Sequence, residues 1–370
     1  MMHFCAERDK LLASLQMTQG VIERRQTIPI LSNVLLTSEN NMLSITATDM
    51  EVELNAQAPL EESVTGTTTV SARKLIDICR TALPNTRIRF TVEGNRATIV
   101  SGRSRFRLAI LPAHDYPTTE LLTEITTLVL EQKQLRRLIE LTAFAMAHQD
   151  VRYYLNGLLL EVLPKELRIV ATDGHRLAWA SQAIDTGLSD RVQQAIIPRK
   201  GIIELLRILG TGTEEVSLHI GAHAIQARFS TIRFTSKLID GRYPDYTNVI
   251  PNPERCDKEV LVDRETLRQS LTRMAILANE KHRAVRLILE PGGLRIIAKN
   301  PEQEEAEEEI DAHYIGEPLE VGFNASYLSE AVNAVPTDRV QIFFTDASSS
   351  CLIRAENRTD CQYVVMPMRL

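Results

Sequence analysis

Apolar residues recur at three- and four-residue spacing from Glu131 to Ala145, which predicts a helix over that stretch. Two short apolar stretches follow, Leu158–Leu163 and Leu167–Thr172, and read as strands closing on Asp173. The same order occurs on either side. A helix over Arg8 to Met17 precedes strands Pro29–Leu36 and Leu43–Asp49, and a helix over Arg264 to Leu277 precedes strands Val285–Glu290 and Leu294–Asn300. Asp49, Asp173 and Asn300 stand 124 and 127 residues apart. A second landmark keeps the register: Val70-Ser-Ala-Arg73-Lys74, Ile197-Pro-Arg199-Lys200 and Phe323-Asn-Ala325-Ser326 each open a later helix, with Arg73, Arg199 and Ala325 126 residues apart at each step. A period this long is that of a whole domain and not of a solenoid repeat.

The later part of each third returns to alternating strands, at 88–92, 97–100 and 105–110, at 216–220, 224–229 and 232–239, and at 340–344, 351–354 and 363–370. Strand-rich units with two helices each predict α+β domains, helices on one side of an antiparallel sheet. Pro112–Glu120 and Pro251-Asn-Pro253 read as linkers, so the expected domains are 1–125, 126–252 and 253–370.

Composition narrows the classes. The first ten residues are too charged for a signal peptide, and no apolar run is long enough to span a bilayer. Five cysteines, odd in number and without a C-x-x-C, argue against a disulfide framework or zinc site and fit a reducing cytoplasm. The net charge of −6 argues against nucleic acid until its distribution is considered. Cations gather on the predicted helices: Arg8 and Lys10, Arg73, Lys74 and Arg80, Lys133, Arg136 and Arg137, Lys200 and Arg207, Arg264, Arg268 and Arg273. On any single helix the plain reading is a solvated face of good helix formers. Their recurrence in most copies predicts one positive surface inside an acidic protein. The later helix of the last third lacks them.

The run Glu302 to Glu309 is densely acidic and by itself reads as a solvated loop. Alternation in Arg103–Ile110 sends Arg103, Arg105 and Arg107 to one face and Phe106, Leu108 and Ile110 to the other. A basic, apolar-backed edge strand near one end and an acidic segment near the other suit head-to-tail contact between two chains.

Asp173-Gly174-His175 has the residue types of an acid–base pair, but no nucleophile motif, metal-ligand spacing or Walker A sequence accompanies it. The alternative is a turn in which Gly174 takes a positive φ. Only the middle copy carries Gly-His-Arg-Leu here; the first has Thr48-Asp-Met-Glu and the third Lys299-Asn-Pro-Glu. A departure confined to one copy predicts a binding site on that copy. The apolar, Met-rich end of the chain, Val364 to Leu370, is a second candidate surface, Met side chains being adaptable.

His148–Gly157, Ala171–Leu177, Gly241-Arg-Tyr-Pro-Asp-Tyr246, Asn300–Glu308 and the terminal Val-Val-Met-Pro-Met-Arg-Leu closely resemble the bacterial DNA polymerase III beta subunit family, the sliding clamps, across essentially the whole chain. The resemblance implies a ring-shaped homodimer, helices lining the hole and sheets outside. It would encircle duplex DNA without sequence preference and, with a clamp loader, tether polymerase subunits and other partners. It implies no enzyme activity, cofactor or membrane. By position, it implies DNA contacts at Arg24, Arg25, Arg73, Gln149, Tyr153 and Tyr154. A partner-peptide pocket would use Leu155, Thr172, Gly174, His175, Arg176, Leu177, Pro244, Val249, Tyr327, Ser350, Val364, Val365, Met366, Pro367, Met368, Arg369 and Leu370. The subunit interface would set Lys74, Arg103, Arg105, Phe106 and Leu108 against Ile276, Leu277, Glu302, Glu304 and Glu305. The sequence departs from the family at Thr247-Asn248, where Arg-Arg is frequent, at Ser348, where an apolar residue is usual, and in the loop before Pro29. These departures add a second expectation: an additional clamp copy, or a clamp-fold scaffold, with altered partner or inhibitor binding.

Overall fold

The computed structural model describes residues 2–22, 28–119, 122–123, 125–189, 192–279 and 283–369. Among them stand α1 (Arg8–Thr18), α2 (Ala72–Thr81), α3 (Gln132–Glu140), α4 (Arg199–Ile208), α5 (Arg264–Met274) and α6 (Ala325–Ala334). The helical spacing read from sequence becomes a buried stripe in the pairs α1–α2 and α5–α6. Leu11, Leu12 and Leu15 of α1 are buried where it meets α2, whose Leu75, Ile76 and Cys79 are buried in turn. Leu267, Leu271 and Met274 of α5, which meets α6, are buried together with Leu328, Ala331 and Val332 of that helix.

The chain forms two compact units, Met1–Lys133 with Lys200–Leu238, and Gln134–Arg199 with Ile239–Leu370. Among the described residues each is built on one antiparallel sheet, of 13 strands in the first and 12 in the second. In the first unit the strand Val52–Pro59 pairs with Ile232–Lys237, Ile232 opposite Ala56. In the second, Arg176–Ala183 pairs with Cys361–Val365, Arg176 opposite Val365. Sheets thus run on from one repeat into the next, and each unit takes part of the middle third.

Several elements differ from the sequence expectation. Strands His3–Glu7, Thr126–Glu131 and Lys258–Asp263 precede α1, α3 and α5, so each third opens on a strand and not on a helix. Pro29–Ser32 is a short 3-10 turn before the strand Asn33–Glu39; proline's fixed φ and missing N–H suit a helical first position. The helix expected to reach Ala145 stops at Glu140. The Thr142 hydroxyl donates back to Leu138 O at 2.8 Å, and Ala143–Ala145 is a separate 3-10 turn. The helix expected to reach Leu277 ends at Met274. The acidic run is strand from Glu305 to His313, paired along Gly293–Lys299. There Glu308 turns inward onto Arg273, and Glu307 lies 3.2 Å from Arg295. The final strand is Cys361–Val365; beyond it Met368 makes a single bridge with Gly322.

Candidate functional site

The site in the middle repeat begins with a turn. Thr172 Oγ1 accepts from Gly174 N (3.0 Å) and donates to Arg176 O (2.6 Å), while Asp173 Oδ1 accepts from His175 N (2.9 Å) and Arg176 N (3.0 Å). Gly174 takes φ +88°, where a side chain would be strained. The first repeat builds the same turn from Thr48, Asp49 and Met50, with Asp49 Oδ1 accepting from Glu51 N (2.9 Å) and Val52 N (2.7 Å) and Met50 at φ +79°. A buried tyrosine holds each: the Tyr243 hydroxyl accepts from Thr172 N (3.0 Å), and the Tyr116 hydroxyl from Thr48 N (3.2 Å). Burial pushes both phenols up, since it disfavours the charged form.

This settles the Asp173–His175 pair. Asp173 spends Oδ1 on the turn and Oδ2 on Arg176 Nε at 3.1 Å, while the exposed His175 ring stacks on Tyr327, centroids 6.4 Å apart. The carboxylate is a turn cap, repeated in a copy that has no histidine.

Against the turn lies a groove of about 220 Å³ in the second unit. Leu155, Leu177 and Val364 form its apolar floor, continuous with a buried cluster that includes Leu159, Val170, Ile196 and Leu352. Pro244, Val249 and Met366 make the sides, and Thr172, Gly174, His175 and Arg176 the rim. Met366 N donates to His175 O at 2.9 Å, carrying the tail past the turn. Arg176 is immobilised: it donates to Phe144 O (2.7 Å), pairs with Asp173 and Glu330, and stacks 4.5 Å from the Tyr327 centroid. A rigid guanidinium beside apolar anchors suits an extended peptide.

Several expected pocket residues do not line the groove. Tyr327 backs Arg176 and His175 from outside. Val365 is buried and alternates to the opposite face from Val364; Ser350, Pro367, Met368 and Arg369 also lie outside the lining, and Leu370 falls outside the described residues. Ser348 is exposed and bonds to Asp346 (2.7 Å), while Thr247 and Asn248 fold back onto Asp245. Conversely, Arg152, Tyr154, Asp245 and Tyr246 line it. Of these, Tyr154 was expected to contact DNA instead. The aromatic Pro-Asp-Tyr246 segment was the available signal for Tyr246, and Arg152 had none.

Arg24 and Arg25 lie outside the described residues. Arg73 projects from α2 with 89% of its side chain exposed, in the first unit; Gln149 (φ +56°) and Tyr153 are exposed in the second. Most helix cations are occupied within the chain. Arg8 donates to Cys79 O (2.7 Å) and Arg80 O (2.8 Å), Arg137 pairs with Asp360 (2.6 Å), Arg207 with Glu204 (2.8 Å), Arg268 with Glu265, and Lys200 with Asp49. The positive surface expected from sequence is therefore substantially neutralised; on α2, Arg73, 3.9 Å from Asp77, and Lys74 are exposed.

Of the expected interface residues, Arg105, Phe106, Leu108 and Glu305 fall on two strands whose edges are open among the described residues, while Lys74 is on α2, Ile276 and Leu277 follow α5, and Arg103, Glu302 and Glu304 lie in the turns before those strands. Arg103 is exposed in the hairpin turn before Ser104–Leu111; on that strand Arg105 is exposed and Phe106 and Leu108 are half-buried. On its outer side the strand pairs with Gly66–Ser71 only at Ile110 and Leu111, leaving Ser104–Ala109 open among the described residues. Glu305–Asp311 is open likewise, since Glu305–His313 meets Lys258–Asp263 only at Ala312 and His313. Glu302 is exposed, Glu304 bonds to Asn300, Ile276 is 76% exposed, Leu277 half-buried and Lys74 exposed.

Repeated α+β modules joined through their sheets, with a peptide-sized apolar groove on one copy, define a repeat-built recognition protein. The chain belongs to the DNA polymerase III beta subunit family: the N-terminal, central and C-terminal domain models match residues 2–120, 129–245 and 247–369. It is 50% identical to the beta sliding clamp of Pseudomonas putida over 370 residues and 46% identical to that of Escherichia coli over 371, with both chains covered completely in each case. The crystal structure of the Pseudomonas aeruginosa subunit matches with a TM-score of 0.97 at 49% identity, and the griselimycin-bound clamp of that organism with 0.95 at 49%, both over the full length of both chains.

Proposed function

We propose that the chain is a DNA sliding clamp, a processivity factor that closes as a homodimer around duplex DNA and tethers polymerases through the groove beside Thr172–Leu177. The observation that carries closure is an unfilled pairing rule. Val52–Pro59 and Arg176–Ala183, equivalent strands of the first two repeats, each take a strand of the next repeat, Ile232–Lys237 and Cys361–Val365. Their counterpart in the third repeat, Glu305–His313, has no such partner among the described residues, and the remaining equivalent, Ser104–Leu111, has an open edge. Joining them between two copies completes the series. Carrying the in-chain register across the repeats sets Arg103, Arg105 and Arg107 opposite Glu309, Glu307 and Glu305, with Phe106 facing Ala306.

Enclosure explains the charge pattern. A closed ring needs little grip, and neutralised helix cations leave weak phosphate contacts that permit sliding. The chain's part is recognition and positioning, without catalysis: Asp173 and His175 shape the groove. We place it in the cytoplasm; no helix among the described residues is long and apolar enough to cross a membrane. The working domains are 1–125, 126–252 and 253–370. A labelled extended peptide with Leu and Phe anchors binds at micromolar Kd, about −8 kcal/mol. Replacing His175 with Ala weakens it; an unchanged Kd would remove the groove from the account.

A further inference from the structure

The outer face of the middle repeat's sheet carries a buried carboxylate that the groove's rim does not explain. Glu161 is 6% exposed. It lies between its cross-strand neighbours Gln194 and Arg168; Gln194 Nε2 donates to Oε1 at 2.6 Å, and the Tyr246 hydroxyl donates to Oε2. Tyr246 is a wall of the groove and is itself 5% exposed. It begins the turn that presents Val249, whose N donates to Tyr246 O at 3.1 Å. Polar oxygens this buried need hydrogen-bond partners, so the Tyr246 hydroxyl, which Arg168 also bonds, is held where the Glu161 oxygen is satisfied.

The first repeat provides the contrast. At the position equivalent to Tyr246 it has Thr119, whose hydroxyl reaches Glu53 at 2.6 Å, and at the position of Trp179 it has Asn55. A polar trough of about 530 Å³ remains there, lined by both. In the middle repeat two aromatics occupy that place. Burial, then the Glu161 carboxylate, pushes the Tyr246 phenol up to about 12, so it stays a donor throughout the physiological range.

Resting on the groove reading above, we propose that Glu161 is a positioning residue for peptide binding: through the Tyr246 hydroxyl it fixes the aromatic wall and the Pro244–Val249 segment against which a peptide anchor packs. It does not touch the peptide.

The test measures affinity for the Leu/Phe peptide in the intact dimer, beside thermal midpoint and the fluorescence of Trp179, the chain's one tryptophan. Tyr246→Phe removes one oxygen and is expected to weaken the peptide five- to tenfold with solution mass and midpoint nearly unchanged. Glu161→Leu is expected to do the same, Glu161→Gln, which keeps an acceptor, to recover most of the affinity, and Tyr246→Phe/Glu161→Leu to be no weaker than either single change. Should Glu161→Leu not fold, Tyr246→Phe decides. Affinity within twofold of wild type in Tyr246→Phe, or loss that tracks the midpoint alone, overturns the positioning role while leaving the groove. A wild-type chain that takes no peptide overturns both.

Discussion

Reversing one charge on the basic edge strand tests the inferred register of the closed dimer. In that register Arg105 faces Glu307, flanked by Arg103–Glu309 and Arg107–Glu305. Opposite charges directly across two strands contribute roughly 0.2–1 kcal/mol, and like charges cost a similar amount. Arg105→Glu therefore costs about 1 kcal/mol at one junction. A two-fold dimer has two junctions, so the total is about 2 kcal/mol, near a 30-fold rise in the dimer dissociation constant. Sedimentation at low salt measures it, since screening shrinks the effect. Adding Glu307→Arg restores the opposite pair in every copy and recovers dimerisation to within about fivefold. Recovery is incomplete because Glu307 also serves Arg295 within its own chain, at 3.2 Å. A double variant as weak as Arg105→Glu alone would refute the register; an unaffected single variant would refute the interface.

Three other outcomes follow from the repeated turn and the buried charges. Gly174→Ala places a Cβ at φ +88° and 2.8 Å from the Arg152 guanidinium; it lowers the stability of the second unit by about 1–2 kcal/mol and weakens peptide, whereas Met50→Gly at the equivalent φ of +79° raises the first unit's by about 0.5–1 kcal/mol, both read by calorimetry. Tyr116→Phe and Tyr243→Phe each strand a buried N–H, of Thr48 and Thr172, at about 1–3 kcal/mol in chemical denaturation, and only the second also impairs peptide binding. Burial raises the Asp360 carboxyl, but hydrogen bonds from Arg358 and Arg137 outweigh it and hold the pKa at about 2. Because the folded value lies below the unfolded one of about 3.9, this stabilisation is present above that value and is lost as pH falls towards 2, so in melts across that window Asp360→Asn flattens the acid decline.

The repeat was legible because turn chemistry is local. Asp49 and Asp173 cap the same turn whatever follows, Asn300 holds the corresponding place in a longer turn by accepting from Glu304 N, and helical spacing with a matched opening marks α2, α4 and α6. The short leading strands were missed because five or six residues such as His3–Glu7, set directly against a helix, carry no distinct period. The acidic segment was read as loop since repulsion dominates locally; pairing with Gly293–Lys299 and cations at Arg273 and Arg295 override it. The groove's rim was legible in Thr172–Leu177, but Arg152 and the Glu161–Tyr246 contact arise from long-range packing. The helix cations misled in degree: some partners, Asp360 for Arg137 and Glu308 for Arg273, lie far along the chain, whereas Glu204 for Arg207 and Glu265 for Arg268 stand one helical turn away.

Enclosure is tested most directly by loading the chain onto nicked circular plasmid with a clamp loader and ATP, removing free protein, and measuring retention before and after linearisation. A closed ring gives stable retention on the circle, tolerant of moderate salt, and loss from the ends once the DNA is cut. Equal retention on both forms, or salt-sensitive release from the intact circle, would contradict it.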